Sequence, residues 1–226
     1  MSSPFSTAPL LKNTFAILQK HLKPIMTIAG VTYFATTLVN ILVVLTASPA
    51  VGLAASIVQQ AVHGIATGVI ALALAQTASG RAIDLNGCLQ ETLAALPRLI
   101  PTAAIVALAI TIGLLLLLVP GIIAFALLCL SVPAAVLEKL EPADALKRSF
   151  ELCKTRWNHL GGALIAVALI FGGGAMLLNY LAAQTNSAAV YLIVDYTVGS
   201  LASGAMAVSV VLAYQEITGQ LGQNRA

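Results

Sequence analysis

Asp195, Asn179, Tyr180, Gln59, Gln60, His63 and Asn40 interrupt long apolar runs, and their types are the ones that do chemistry. An ionisable side chain in such a run costs about 3 kcal/mol on insertion scales, so it is a functional candidate by default. Asp195 stands about two turns into the last run, and Asn179 and Tyr180 stand about one turn inside the end of the run before it. Across a short loop these two reach Asp195. Gln59 and His63 lie one helical turn apart on one face, with Asn40 at comparable depth. Together the seven are predicted to line an outward-facing polar pocket. Such a pocket binds a cation, relays protons or passes a substrate. The opposing reading is that amides bond neighbouring helices as packing contacts and that Asp195 is simply hydrated. Catalysis is poorly served. His63 has one distant aspartate and no convincing serine or cysteine nucleophile, which falls short of a triad. The sequence holds no His-Glu-x-x-His motif, phosphate loop or ligand cluster, so no enzyme, cofactor or metal is predicted. Cys88, Cys129 and Cys153 are spaced by 41 and 24 residues, which matches neither a zinc pattern nor a disulfide framework.

The elements that carry these residues follow from composition. Of 226 residues, 59% are hydrophobic and 8% charged, with mean hydropathy +0.97. Soluble domains carry roughly 25% charge, and disordered chains are polar, so both classes are excluded. A helix crossing the hydrocarbon core needs about 20 apolar residues. Spans are predicted from Ile25 to Ala47, from Val51 to Ala78, from Leu99 to Leu118, from Ile122 to Leu137, from Leu160 to Ala182 and from Ala188 to Tyr214. The fold class is therefore all-α, a polytopic membrane protein with six transmembrane helices. The 39 residues from Leu99 to Leu137 suit two spans joined at Pro120-Gly121, and a kinked or re-entrant helix is the alternative there.

Charge sets the orientation. All 11 Lys and Arg fall before span one, between spans two and three, between spans four and five, or after span six. The opposite loops, near Ser48-Pro49, Pro120-Gly121 and Gln184 to Ser187, carry none. Seven of the eight acids share the basic side, which leaves it four charges positive. The positive-inside rule then predicts cytoplasmic N- and C-termini. A cleaved signal peptide is the competing reading of the N-terminus, but the apolar run after Lys23 is about 23 residues long, against about 7–15 in a signal sequence.

Three segments on that side read alike: Leu11 to Leu18, Leu89 to Leu96 and Leu146 to Cys153. Apolar residues recur at helical spacing as Leu11, Phe15, Leu18 and Leu22, as Leu89, Leu93, Leu96 and Ile100, and as Leu146, Phe150, Cys153 and Trp157. Thr14, Thr92 and Ser149 hold one place in each copy. The expectation is a single membrane domain of three repeats, at about 8–78, 85–137 and 142–214, each an amphipathic interfacial helix followed by a transmembrane hairpin. Short membrane-surface helices resemble one another without common ancestry, which is the plainer alternative. In either case the helices are predicted to lie in the headgroup layer with lysines toward anionic lipid. The predicted partner is thus a lipid bilayer with anionic lipid at its cytoplasmic face. A protein partner or second copy stays open, and nothing points to nucleic acid.

Small residues mark close helix contacts. Gly64-x-x-x-Gly68 and Ser200-x-x-x-Gly204 permit backbone approach, within the molecule or between copies. Gly172-Gly173-Gly174 weakens span five and predicts either a kink or hinge, or a crowded crossing.

The stretch from Leu118 to Gly162 reads Leu-Val-Pro120-Gly121-Ile-Ile, then Leu-Ser131-Val-Pro133-Ala-Ala-Val-Leu-Glu138, then Ala145-Leu-Lys-Arg148-Ser149-Phe-Glu-Leu, then Trp157. It resembles the glycerophosphoryl diester phosphodiesterase membrane-domain family and its YciC-like relatives. The resemblance implies a multi-pass protein of a bacterial inner membrane. Some members of that family carry a fused soluble phosphodiesterase. No such domain is recognised here, where 12 residues follow Tyr214, so the resemblance implies location and architecture rather than activity. The family-like spacing also implies a cytoplasmic ion pair, Glu138 with Arg148, that fixes the third amphipathic helix; two solvated charges that never meet are the alternative. The predicted function is a non-enzymatic membrane module in envelope or lipid-related processes, with a small-molecule or lipid transporter as the alternative.

Overall fold

The structure is a computed structural model that describes residues 7–46 and 48–219. Its elements are helices: α1 Thr7–Lys20, α2 Leu22–Thr46, α3 Pro49–Ala78, α4 Leu85–Ala94, α5 Leu96–Leu116, α6 Leu118–Leu128, α7 Ser131–Leu137, α8 Pro142–Cys153, α9 Trp157–Val167, a π-helical turn Ala168–Gly172, α10 Gly173–Ala183 and α11 Ala188–Ile217. Six stretches are long and apolar enough to cross a membrane, namely α2, most of α3, most of α5, α6 with α7, α9 through α10, and α11. The described residues are thus all-helical, with six helices of the length and composition that suit a multi-pass membrane protein.

The turn between the third and fourth spans is displaced from its predicted place. The chain leaves the helical region at Leu117, with φ −165° and ψ 151°, and α6 begins at Leu118. Pro120 and Gly121 therefore lie inside the first turn of α6. The missing proline N–H has no consequence there, because the first four amides of a helix lack internal partners anyway. Helices α5 and α6 pack along each other as a hairpin. A Cβ on Gly113 would come within 2.7 Å of the Gly121 Cα, so the glycine pair sets how closely the two backbones approach.

The π-helical turn runs directly into the three glycines. A Cβ on Gly172, Gly173 or Gly174 would meet nothing within 4 Å, so these glycines do not serve a crowded crossing. They follow a local widening of the helix, where one residue is inserted into the hydrogen-bond ladder.

Contacts run in a circuit. Within each hairpin α2 packs on α3, α5 on α6, and α10 on α11. Between hairpins α3 packs on α5, α6 on α9, and α11 on α2. The second members also meet inside the ring, α3 with both α7 and α11. Each short helix rests on the second long member of the hairpin before it: α4 on α3, α8 on α6 and α7, and α1 on α11. Helix α1 thereby adds a second contact between the two ends of the described chain, beside that of α11 with α2.

The protein-facing stripe of the short helices differs by one position from the stripe read in the sequence. Buried residues are Leu10, Thr14 and Leu18 on α1, Cys88 and Thr92 on α4, and Ala145, Ser149 and Cys153 on α8. Phe15, Leu93 and Phe150, one residue after the buried hydroxyls, are 55%, 44% and 49% exposed. These helices have two apolar sides. On α4 and α8 the buried side is made of small residues, on α1 of Leu10, Thr14 and Leu18, and on all three the protein leaves Phe15, Leu93 and Phe150 about half exposed.

The hydroxyls on the buried side are held. Thr14 Oγ1 and Ser209 Oγ lie 3.0 Å apart, Thr92 Oγ1 donates to the Cys88 carbonyl at 2.8 Å, and Ser149 Oγ donates to the Leu127 carbonyl at 2.7 Å. Bonding of this kind offsets the cost of burying a hydroxyl.

Candidate functional site

The seven polar residues do not meet in one pocket; they divide into two bonded groups, a cavity face and an outlying tyrosine. The first group centres on Asp195 of α11. Asn179 Nδ2 of α10 donates to Asp195 Oδ1 at 2.9 Å, and Tyr33 Oη of α2 donates to the same oxygen at 3.1 Å. One carboxylate oxygen thus ties three helices. Tyr180 faces away and is 63% exposed, because it is one residue, about 100° of helix, from Asn179.

Tyr33 takes the place that the sequence suggested for Tyr180. Its ring lies directly over Gly199, and the Tyr196 ring of α11 lies over Gly30 of α2, where a Cβ would stand 2.6 Å from the Tyr196 hydroxyl oxygen. The two rings meet edge to face, with centroids 6.4 Å apart. A side chain at either glycine would push the rings apart and take Tyr33 away from Asp195. The signal for Tyr33 was an aromatic hydroxyl inside a predicted span, since such a group needs a polar partner.

The second group is a single bond. Gln59 Nε2 donates to Asn40 Oδ1 at 2.6 Å, joining α3 to α2 on an exposed part of the bundle. Gln59 and His63 were expected to act on one face. Instead Gln59 turns to α2, and His63 joins Gln60 at the wall of a cavity of about 280 Å³. The walls come from α3, α5, α6, α7 and α11 together with Cys129, which follows α6. His63 lies midway along α3, between Pro49 and Ala78.

At the basic end, Glu138 gathers partners from two directions. Arg148 Nε donates to its two carboxylate oxygens at 3.1 and 3.2 Å, and the Tyr214 hydroxyl donates to Oε1. This node joins the end of α7 to α8 and to α11. The bond to Glu138 holds the Arg148 guanidinium above its ordinary pKa. The next residue, Lys139, has φ 55°. Its carbonyl accepts from Arg98 Nη1 at 2.7 Å, and its ammonium stands 3.6 Å from Glu91. Tyr214 was not singled out in the sequence. Its signal was the same as that of Tyr33, a phenol at the end of an apolar run.

The small-residue pairs face inward. A Cβ on Gly68 would press on Thr92 at 2.9 Å and Val136 at 3.2 Å, and one on Gly204 would press on Ile25 at 2.9 Å. Gly64 looks toward Ala103, and buried Ser200 donates to the Tyr196 carbonyl at 2.5 Å. All four serve contacts within the molecule. Cys88 is buried on α4, where burial and the nearby Asp84 and Glu91 carboxylates push its thiol above the ordinary range.

Comparison with protein-family models, with curated proteins and with solved structures returned no match to this chain.

Proposed function

We propose that this chain is a multi-pass protein of a bacterial cytoplasmic membrane, with both termini inside, that acts as a non-enzymatic module in envelope or lipid-related processes. One observation carries the reading. Three short helices lie at the end that holds the Lys and Arg residues, and the protein leaves their bulky apolar sides about half exposed. Phe15, Leu93, Phe150 and Trp157 would enter the acyl boundary while Lys12, Lys147 and Lys154 meet anionic headgroups. The circuit of contacts supports an origin of the chain in three copies of one unit. The resemblance around Pro120, Glu138 and Arg148 supports the bacterial inner membrane.

Placement is tested by thiol labelling in intact cells. Cysteines at Ser48 and Ser187 should react with an impermeant reagent, and one at Ser3, outside the described residues, should not. Labelling at Ser3 in sealed cells overturns the orientation. The role is tested by lipid composition and detergent sensitivity in a deletion strain; a strain identical to wild type in both sinks it. The second reading, a small-molecule or lipid transporter, is favoured by the cavity beside His63.

A further inference from the structure

We propose that the cavity at Gln60 and His63 binds one uncharged amphiphile, a short-chain alcohol or carbonyl compound taken from the surrounding lipid. The inference deepens the transporter reading but does not need movement: binding without transport would overturn only that reading.

Four features define the ligand. The first is size. About 280 Å³ is room for roughly nine waters at about 30 Å³ each, or for a compact molecule with about that many non-hydrogen atoms. The second is charge. The lining residues include no Asp, Glu, Lys or Arg, so an ionised ligand would be buried without a counter-charge. The third is the wall. Val106, Ile110, Phe125, Leu128 and Met206 offer apolar surface to a chain. The fourth is a small polar set, made by Gln60 and His63 of α3 with the Ser203 hydroxyl of α11. Gln60 and His63 are three residues apart on one face of α3, and among the described residues neither side chain bonds another protein group. A primary amide and a neutral imidazole each present a donor and an acceptor, which fits a hydroxyl or a carbonyl. Thr67 is not part of this set, because its hydroxyl donates to the His63 carbonyl at 2.9 Å.

The cavity exists because its walls are small where they could be large. Gly64, Ala66, Ala103, Ser203 and Ala207 all face it. The recess is open on one side, where His63 is exposed, so a molecule from the surrounding lipid can enter it, and its small walls leave apolar contacts for that molecule to complete. An amphiphile restores those contacts and pairs the two polar side chains.

The test uses the full chain in nanodiscs and 3-azioctanol, a photoreactive eight-carbon alcohol. Wild type should be labelled saturably on the α3 and α11 peptides, and excess octanol should compete. Octanol should also raise the melting temperature, since a ligand of the folded state stabilises it. Gln60→Leu with His63→Phe should weaken half-saturation about fivefold, the loss expected for about one net neutral hydrogen bond. Ala207→Phe should fill the space, abolish the labelling and remove the octanol shift while the protein melts cooperatively. Ser203→Leu is the second filling variant, should Ala207→Phe not fold. Labelling that rises linearly with probe, spreads over lipid-facing residues or persists in a folded filled variant overturns the proposal. So does a cavity that takes up only water.

Discussion

Asp195 spends one oxygen, Oδ1, on both of its neighbours. That detail decides what a substitution does. Asparagine keeps an acceptor oxygen in nearly the same place, so Asp195→Asn should fold at least as well as wild type, with a membrane charge removed. Asp195→Leu should strand the Tyr33 hydroxyl and the Asn179 amide, and lose about 1–3 kcal/mol, read as a lower melting temperature in detergent. If Asp195 carries a cation or protons, Asp195→Asn should be stable and fail to complement a deletion strain. Stability with full complementation removes the transport role of this residue. The Glu138 node behaves oppositely, because its charges are paired. Arg148→Glu should lower folded yield, and adding Glu138→Arg should recover part of it. Tyr214→Phe should cost about 1–2 kcal/mol by removing a bond to a charged acceptor. Equal yields for wild type and both single reversals would remove the pairing. The sequence showed Glu138 and Arg148 at a spacing of 10 residues, but Tyr214 is 76 residues from Glu138 and Tyr33 is 162 from Asp195. Local spacing reveals the first kind of pair, whereas the second depends on which helices become neighbours.

Helices were legible where composition alone defines them. The apolar runs gave six span-length elements, since few residues other than apolar ones can cover about 30 Å of hydrocarbon. The turn near Pro120 was placed three residues late because proline marks a helix start as well as a loop. The short helices posed a subtler problem. Leu11 and Phe15 form an apolar stripe, yet Leu10 and Thr14 are the residues that the bundle buries. Two adjacent stripes cannot be ranked by hydrophobicity when both carry apolar residues and the buried one also holds a hydroxyl. The half-exposed stripe is testable through the sole tryptophan, Trp157, which is 39% exposed at the start of α9. Its fluorescence in bilayers should be quenched most by lipids brominated high on the acyl chain, where indole rings prefer to sit. Quenching by aqueous iodide alone would place α8 and α9 off the membrane surface.

The circuit of contacts has a consequence for the molecule as a whole. Helix α4 packs on α3 and α8 on α6 and α7, so each of these short helices rests on chain already made when it appears. Helix α1 is different. It is the first described element and its partner α11 is the last, with Thr14 and Ser209 separated by 195 residues in sequence. Closing so large a loop costs entropy that only the completed contact repays, and synthesis delivers the two ends far apart in time. Helix α1 packs on α9 as well as on α11, so its docking waits on the last hairpin, and it braces a ring that the contact of α11 with α2 closes. A cross-link reports it directly. The hydroxyl oxygens of Thr14 and Ser209 are 3.0 Å apart, so cysteine sulfurs placed at these two positions would start close to each other. With Cys88, Cys129 and Cys153 replaced by alanine, Thr14→Cys with Ser209→Cys should cross-link under mild oxidation. Cleavage at a protease site introduced near Ser187 should then leave both fragments in one band without reductant and in two with it. Two bands under both conditions, from protein that still melts cooperatively, would mean that α1 does not rest on α11.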